Sequence, residues 1–445
     1  MAPARKTART PQEEARVRET KPPKRAICLA GGGPAAGLHI GVLQGLAENN
    51  ITFDNEPDVW ALSCIGAWVG IVYNQFESGD RAKQTLDFFR DVFRENDSFE
   101  SFPVNKAFAP DWVGNAEAIM DFMLEPRNYR NAILPRRIME SFVYTMKAIG
   151  RRVKSGELFD EGDFNRWTLN HVLAINPAVR FLTAMMYKSE IDGLARIHYP
   201  DSGFLKKIKF ENLFENKDTG KAPPFIYYNA WNLTDQRLQL FCNRKNPAEY
   251  KDETNQPYQK VTPASLCACS ALPYIEKTVT IDGKTYCEGA LVDTVNFDSL
   301  LNNHHHPDDD DPLNEIWISR IVDAKQIRSP RTLHDSLANL CELFAATVGE
   351  DDVKLFKHHV REDKRFKGLI VEIPVSSDIT YEWSHKNLDA GVTNGRQAAI
   401  EAYQEYLNAG GEKRRYGELK VIGEERTKQK QREITEARRA QNSRS

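Results

Sequence analysis

The sequence lacks any long hydrophobic run. None of its 445 residues belongs to a stretch of about eighteen uncharged apolar residues, the length that a membrane-spanning helix needs. It also lacks a strong charge of either sign: the formal net charge of −3 gives no general attraction to nucleic acid or to anionic membranes. We therefore expect no spanning helix and no nucleic-acid partner, and we expect any contact with lipid to be peripheral.

Cysteine is sparse, and its positions do not form a disulfide framework. The seven cysteines are an odd number, and they are scattered along the chain at Cys28, Cys64, Cys242, Cys267, Cys269, Cys287 and Cys341. This pattern favours free thiols in a reducing compartment, so we expect a cytoplasmic protein. Cys267 and Cys269 have only one residue between them and no second pair at zinc-finger spacing, so we expect no zinc site.

Two further segments carry little sign of a binding site. Residues 1–25 are basic but have no apolar core of a secretory signal, and we interpret them as a disordered arm. The stretch His304–Asp311 holds three histidines and four aspartates, both of which bind divalent ions. Consecutive histidines cannot all face one ion, so we interpret this stretch as an acidic loop and expect neither a metal nor a cofactor.

The most informative stretch begins with Val59–Leu62, an apolar run typical of a short buried strand, and continues as an apolar-rich helical pattern. A strand that turns sharply into a helix lifts one side chain to the tip of the turn, as in the nucleophile elbow of G-x-S-x-G sequences. Here the turn is Ser63-Cys64-Ile65-Gly66, with Ser63 and Gly66 as elbow positions. The residue at the tip is therefore a cysteine, Cys64.

A glycine-rich turn lies before the elbow in the chain. The apolar strand Arg25–Ala30 leads into Gly31-Gly32-Gly33, and a helical pattern follows over Leu38–Ala47. Backbone N–H groups of such a turn can approach a negative centre closely. A nucleotide-phosphate site is an alternative use of this turn, but neither the G-x-G-x-x-G spacing nor a P-loop lysine is present.

In the rest of the chain, the predicted secondary structure differs from one segment to the next. Residues 80–200 are dominated by helical spacing, which predicts a helical insertion or cap. Strand patterns return after Pro224, and Asp282-Gly283 predicts a hairpin turn that leads to Glu288-Gly289-Ala290. Residues 410–445 are rich in Lys, Arg, Glu and Gln, and we expect a charged tail, either a solvated helix or a disordered arm.

Three motifs, in this order along the chain, resemble those of the patatin-like phospholipases, an α/β family of lipid acyl hydrolases. They are the turn at Gly31–Gly33 with the helix after it, the elbow at Cys64, and Glu288-Gly289-Ala290 in the place of an Asp-Gly-Ala or Asp-Gly-Gly motif. The resemblance implies an α/β, patatin-like three-layer fold with a mainly parallel central sheet, over residues 26–409, with a helical insertion at 80–200.

The family uses a Ser–Asp dyad and a glycine-loop oxyanion hole. The resemblance implies that Cys64 attacks the acyl group, Glu288 takes its proton, and N–H groups of Gly31–Gly33 and Ile65 hold the oxyanion. The helix start at Ile65 is expected to favour the thiolate. His39, a turn into the first helix, is expected to be structural.

The departures from the family pattern leave several functions open. Cysteine replaces serine at the elbow tip, Glu288 replaces the aspartate, and Leu62 replaces the first glycine. The expected function is a lipid or carboxylic-ester acyl hydrolase with a thioester acyl-enzyme, and an acyltransferase would use the same residues. Repulsion between a glutamate and a thiolate, and the bulk of Leu62, instead favour a non-catalytic relative that binds a lipid or a protein partner.

Overall fold

A computed structural model describes the chain over residues 23–77, 79–92, 108–110, 112–130, 139–140, 143–144, 146–147, 176–191, 193–197, 204–215, 220, 222–305, 312–322, 327, 329–330, 333–363, 366–374, 383–411 and 418–442. The chain divides into two compact units. One is formed by Met1–Ala109 with Ala195–Ser445, and the other by Pro110–Leu194.

Thirteen strands lie within the described residues. They are β1 (Arg25–Leu29), β2 (Val59–Leu62), β3 (Phe108–Pro110), β4 (Gly193–Ile197), β5 (Phe225–Asn232), β6 (Arg237–Cys242), β7 (Gln259–Lys260), β8 (Tyr274–Glu276), β9 (Val279–Ile281), β10 (Lys284–Glu288), β11 (Glu315–Arg320), β12 (Leu369–Pro374) and β13 (Lys420–Ile422). The predicted hairpin is present, since β9 and β10 pair across Asp282-Gly283, both of which have positive φ.

Eleven α-helices lie in the same described part. They are α1 (Ala36–Glu48), α2 (Ile65–Asn74), α3 (Arg81–Val92), α4 (Trp112–Leu124), α5 (Pro126–Arg130), α6 (Pro177–Lys188), α7 (Pro263–Ser270), α8 (Phe297–His304), α9 (Leu333–Asp363), α10 (His385–Asn408) and α11 (Glu424–Asn442). Short 3₁₀ turns are found at Leu205–Lys207, Phe210–Leu213, Pro247–Glu249 and Gly289–Leu291.

The larger unit is organised around one sheet. Its order is β13-β12-β11-β1-β2-β5-β10-β9, with β6 paired to β5 and β7 paired to β6. The pairs from β13 through to β5 are all parallel, and the antiparallel pairs in the described sheet are those that join β5, β6, β9 and β10. The predicted α/β fold with a mainly parallel central sheet is confirmed.

Helices cover both faces of this sheet because successive strand residues point to opposite sides. Ile27 and Leu29 belong to a core that includes residues of α1, α2 and α10. Cys28, between them, belongs to a second core with residues of α8 and α9, where the rings of Phe297 and Phe356 stack with centroids 3.9 Å apart. The three layers are therefore helices, sheet and helices.

Helices α1 and α10 pack with their backbones in contact. An added Cβ at Gly41 would lie 2.1 Å from the carbonyl oxygen of Val392, and one at Gly395 would lie 2.0 Å from that of Leu38. Only glycine allows so close an approach. This contact fixes α1, the helix that follows the glycine-rich turn.

The sequence pattern predicts a helix over Gly395–Leu407, but helix α10 begins earlier, at His385. The hydroxyl oxygen of Ser384 accepts the N–H of Asn387 at 3.2 Å and so caps the first turn. The extra turns contain Gly391, and glycine is a poor helix former in isolation. In the fold, the close packing against α1 compensates for that low propensity.

The sequence pattern predicts a helix over Thr332–Val348, but helix α9 continues beyond Val348 to Asp363. The next residue, Gly349, lies inside the helix. Further along, Val353, Phe356 and Val360 recur at helical spacing and are buried in the second core. Burial of this apolar stripe outweighs the low helix propensity of one glycine.

Strands also occur where the sequence analysis did not predict them. Strand β13 belongs to the segment expected to be a charged tail, yet it pairs in parallel with β12 through Leu369 and Lys420. Strands β3 and β4 lie within residues 80–200, which we expected to be helical. The expected arm falls mostly on residues 1–22, outside the described part, and the domain limits remain a prediction.

His304 is not a loop residue, and His305 directly follows its helix. His304 is the last residue of α8, and its ring centroid lies 4.3 Å from that of Phe225 in an edge-on contact. The ring of His305 lies edge-on to Phe366. Assigning His304 to an acidic loop is therefore wrong, and both rings are buried against aromatic neighbours. Residues 306–311 lie outside the described residues.

The smaller unit is helical in most of its described part. Helices α4, α5 and α6 meet at Phe181, whose ring centroid lies 5.2 Å from that of Phe122 and 5.3 Å from that of Tyr129. The helical spacing over Trp167–Met186 predicts a helix, and α6 covers its second part, while residues 167–175 lie outside the described part. Across all described residues, no helix combines the length and apolarity required to cross a membrane.

Candidate active site

The turn between β2 and α2 holds Cys64 in a strained conformation. Its φ of 46° and ψ of −121° lie in a region that residues other than glycine rarely adopt. The carbonyl oxygen of Ser63 accepts the N–H of Gly66 at 2.8 Å, and α2 begins at Ile65. Gly66 is needed because an added Cβ would lie 2.2 Å from the carbonyl oxygen of Leu29. The structure thus has a sharp strand-to-helix turn with Cys64 at its tip.

The bulk of Leu62 is accommodated beneath this turn. An added Cβ at Gly70, in α2, would lie 2.5 Å from Cδ1 of Leu62. The leucine side chain therefore occupies the space that a side chain at Gly70 would need. Leu62 packs against α2 without displacing the elbow, which removes the steric objection to a working site.

Glu288 ends strand β10 and forms a pair with Cys64. Cys64 and Glu288 are close enough that the carboxylate acts electrostatically on the thiol, and the two residues are 8% and 7% exposed. Strand β5 separates β2 from β10 in the sheet. With about 4.8 Å between neighbouring strands, the two strand ends are about 10 Å apart, and the two side chains bridge that gap.

The glycine-rich turn meets this pair. An added Cβ at Gly31 would lie 3.3 Å from Cβ of Cys64 and 3.2 Å from that of Ala290. An added Cβ at Gly289 would lie 2.5 Å from the side-chain oxygen of Asn229, so this position also lacks space for a side chain. The three sequence motifs therefore come together at the carboxyl ends of the parallel strands.

Several backbone donors near this point have no protein partner among the described residues. Among the residues that the structure describes, none accepts a hydrogen bond from the N–H of Gly31, Gly32, Gly33 or Ile65. Gly33 has a φ of 57°, which favours glycine. Unpaired N–H groups beside a nucleophile are the donors that an oxyanion requires.

Burial governs the protonation of the pair. It raises the pKa of Glu288 to about 7, and the hydrogen bond from Cys64 partly opposes this rise. Burial and then the charge of Glu288 raise the pKa of the Cys64 thiol well above its ordinary value. The expectation that the helix start favours a thiolate is therefore wrong, because desolvation and the acidic partner outweigh it. At neutral pH the pair is a neutral thiol beside a carboxyl group that titrates.

His39 is structural, as expected. Its ring is fully buried, with Nδ1 2.9 Å from the hydroxyl oxygen of Ser319 and Nε2 2.8 Å from the carbonyl oxygen of Ala30. Burial lowers the pKa of His39 to about 4, so the ring is neutral. Nε2–H then donates to Ala30 while Nδ1 accepts from Ser319, which ties the start of the glycine-rich turn to β11.

Three residues of the site were missed by the sequence analysis. The sulfur of Cys269 accepts the N–H of Cys64 at 3.2 Å. Glu276 is a second buried carboxyl group, and burial together with the charge of Glu288 raises its pKa well above its ordinary value. Asn229 connects the elbow to the segment after Glu288. Only Cys269 could have been found from the sequence. Its segment precedes the predicted hairpin and resembles the stretch that leads to the catalytic aspartate in the patatin-like phospholipases.

Comparison with known proteins gives a family match and a weak likeness to solved structures. The family model described as "Patatin-like phospholipase" matches residues 27–301, which include all three motifs. No curated protein matches the chain. Among solved structures, VipD from Legionella pneumophila is similar at 13% identity and a TM-score of 0.34, over 86% of this chain and 67% of that chain. A likeness at that level carries no argument about function.

Proposed function

This chain belongs to the patatin-like phospholipase family, and from that membership we propose that it hydrolyses acyl esters of lipids or related carboxylic esters with Cys64 as nucleophile and Glu288 as base. The observation that carries the proposal is the convergence of the glycine-rich turn on the Cys64–Glu288 pair: an added Cβ at Gly31 would lie 3.3 Å from Cβ of Cys64 and 3.2 Å from that of Ala290. The unpaired N–H groups of the glycine-rich turn beside this pair support it further.

In the first half of the proposed reaction, the sulfur of Cys64 attacks the ester carbonyl carbon while its proton passes to Glu288. A thiol with a raised pKa needs such a base, and a carboxylate whose pKa lies near neutrality is suited to accept and return a proton. The N–H groups of Gly31–Gly33 and Ile65 stabilise the oxyanion. The C–O bond then breaks, the alcohol leaves with the proton from Glu288, and a thioester remains on Cys64.

In the second half, water attacks the thioester carbonyl and gives a proton to Glu288. The C–S bond breaks, the carboxylic acid leaves, and the proton returns to the sulfur of Cys64. If an alcohol takes the place of water, the same residues perform acyl transfer. The base works only when ionised, so we expect the rate to rise with pH through about 7, the pKa of Glu288.

We further propose that residues 26–409 form the patatin-like domain, that residues 80–200 form its helical insertion, and that the protein acts on lipid in the cytoplasm. All seven cysteines are free thiols, which supports a reducing compartment. The substrate class is proposed from the family alone.

The test compares ester hydrolysis by the full chain with that of matched cysteine variants. Wild type, Cys64→Ala and Cys242→Ala are assayed with a chromogenic acyl ester and with phospholipid vesicles, and acid-quenched samples are examined for an acyl adduct on the Cys64 peptide. Cys242 is a fully buried free cysteine on β6 and serves as the control. We expect Cys64→Ala to lose about 10³-fold or more in kcat, as triad nucleophiles do, and Cys242→Ala to retain wild-type activity.

A non-catalytic lipid-binding function is a second candidate, and the raised thiol pKa of Cys64 favours it. Vesicle binding without hydrolysis and without an acyl adduct would establish this second function and overturn the first. Hydrolysis that persists in Cys64→Ala would also overturn the cysteine mechanism. Transfer of the acyl group to an added alcohol, with Cys64 still required, would identify an acyltransferase.

A further inference from the structure

A buried polar network lies under the site. The hydroxyl of Ser63 donates to Oδ1 of Asn229 at 3.2 Å. The Nδ2 group of Asn229 donates to the carbonyl oxygen of Asp293 at 2.7 Å and to Oδ1 of Asn296 at 2.8 Å. One side chain of β5 therefore contacts both the elbow and the segment that follows Glu288.

The network returns to the elbow strand. Nδ2 of Asn296 donates to the carbonyl oxygen of Leu62 at 3.1 Å. Because the carbonyl oxygens of Leu62 and Asp293 can only accept, both amide groups have a single allowed orientation. Ser63, Asn229 and Asn296 are 1% exposed or less, so water cannot replace these bonds.

The position of Asn229 in the sheet explains its role. Its neighbour Tyr228 pairs with Leu62 on β2, and its other neighbour Ala230 pairs with Glu288 on β10. Tyr228 and Ala230 belong to the first core, so the side chain of Asn229 points to the opposite face. Asn229 therefore lies between the two strands that carry Cys64 and Glu288 but does not face the reacting atoms.

Two strained residues are held at the ends of this network. Asn296 has a left-handed conformation, with φ 54° and ψ 41°, and Cys64, next to Ser63, has a φ of 46°. Conformations of this kind persist only where surrounding contacts determine them. The hydrogen bonds of Asn229 and Asn296 supply such contacts on both sides of the Cys64–Glu288 pair.

We propose that Asn229 and Asn296 are positioning residues that fix the separation between the Cys64 thiol and the Glu288 carboxylate. The effect of these asparagines on catalysis rests on the proposed function. The coupling of the Cys64 thiol to the Glu288 carboxylate through this network can be measured even if the protein hydrolyses no ester. Neither asparagine is a catalytic residue, because each acts through the backbone of the elbow or of the segment after Glu288.

The first measurement is the rate at which iodoacetamide alkylates Cys64, followed by peptide mass spectrometry on the full chain between pH 6 and 10. With the wild-type network, Glu288→Gln removes a negative neighbour of the thiol, and we expect alkylation at pH 8 to become about tenfold faster. In Asn229→Ala or Asn296→Gly, we expect the same Glu288→Gln change to alter the rate less than about twofold, because the pair is already separated.

Asn232→Ala is the matched control. Asn232 is on the same strand and is equally buried, but its hydrogen bonds go to residues 234 and 235 and to Tyr286. In this background Glu288→Gln should keep its tenfold effect. Asn296→Gly keeps the test valid if Asn229→Ala fails to fold, since glycine adopts the left-handed conformation without strain. A tenfold effect that persists in Asn296→Gly would overturn the proposal.

Ester hydrolysis is the second measurement. We expect kcat to fall about 100-fold in Asn229→Ala and Asn296→Gly with KM within about threefold, because a misplacement near 1 Å costs about that much. Asn232→Ala should keep the wild-type kcat. Equal kcat in all four proteins would overturn the positioning role. If the wild type has no turnover, the proposed function fails, and the alkylation rates still decide whether the network couples Cys64 to Glu288.

Discussion

Replacing Glu288 by glutamine should remove activity and also stabilise the protein at alkaline pH. Glu288 is 7% exposed, and burial raises its pKa from an ordinary 4.5 to about 7. A carboxyl group whose folded pKa is raised holds its proton more tightly in the folded state. Its contribution to stability is fully present below pH 4.5 and is lost as the pH rises through about 7.

The size of this effect follows from the two pKa values. One pH unit of difference corresponds to about 1.4 kcal/mol, so ionised Glu288 should lower the free energy of unfolding by about 3 kcal/mol at pH 8. Glutamine keeps a side-chain oxygen that can accept a hydrogen bond but cannot ionise. Glu288→Gln should therefore match the wild type at pH 4 and exceed it by about 3 kcal/mol at pH 8.

The assay is urea denaturation of both proteins from pH 4 to 9, with ester hydrolysis measured on the same samples. Glu211→Gln, at an exposed position, controls for the loss of one carboxylate. A Glu288→Gln protein that is no more stable than the wild type at pH 8 would refute the reasoning, because burial of the charge would then have no net cost. A stability difference of equal size at pH 4 and pH 8 would also refute it, since ionisation would not be its cause.

Two further predictions concern packing and capping near the site. Gly70→Ala places a Cβ 2.5 Å from Cδ1 of Leu62, so it should cost about 1–3 kcal/mol in urea denaturation, and adding Leu62→Ala should recover part of that loss; equal losses in the single and double variants would contradict the packing contact. Ser384→Ala removes the hydroxyl that caps the N–H of Asn387 and should cost about 1 kcal/mol. An unchanged denaturation midpoint for Ser384→Ala would show that the cap contributes nothing.

Local patterns predicted the parts of the site that depend on neighbours in the chain. A four-residue apolar strand followed directly by a helix start gives the turn at Cys64, and a strand ending in three glycines gives the turn at Gly31–Gly33. The Asp282-Gly283 dipeptide requires a hairpin, which delivers Glu288 at the end of β10. Residue order and turn chemistry are sufficient for these features, since each involves only adjacent residues.

Longer-range contacts decided what local patterns could not predict. Helix α10 extends to His385 because two glycines meet α1, and β13 forms because an edge of β12 is open to it. The ring of His304 is buried by an aromatic neighbour more than seventy residues away in the chain, Phe225. Propensity and charge pattern carry no information about such partners.

The sequence by itself determined that a cysteine stands at the tip of an elbow, that a glutamate follows the hairpin, and that bare N–H groups of three glycines lie before both. Tertiary structure alone decided how these groups act on each other. Burial at the ends of β2 and β10 keeps the Cys64 thiol protonated and raises the pKa of Glu288 to about 7. The physical reason is that desolvation and hydrogen bonding depend on neighbours such as Asn229, which only the folded sheet places between β2 and β10.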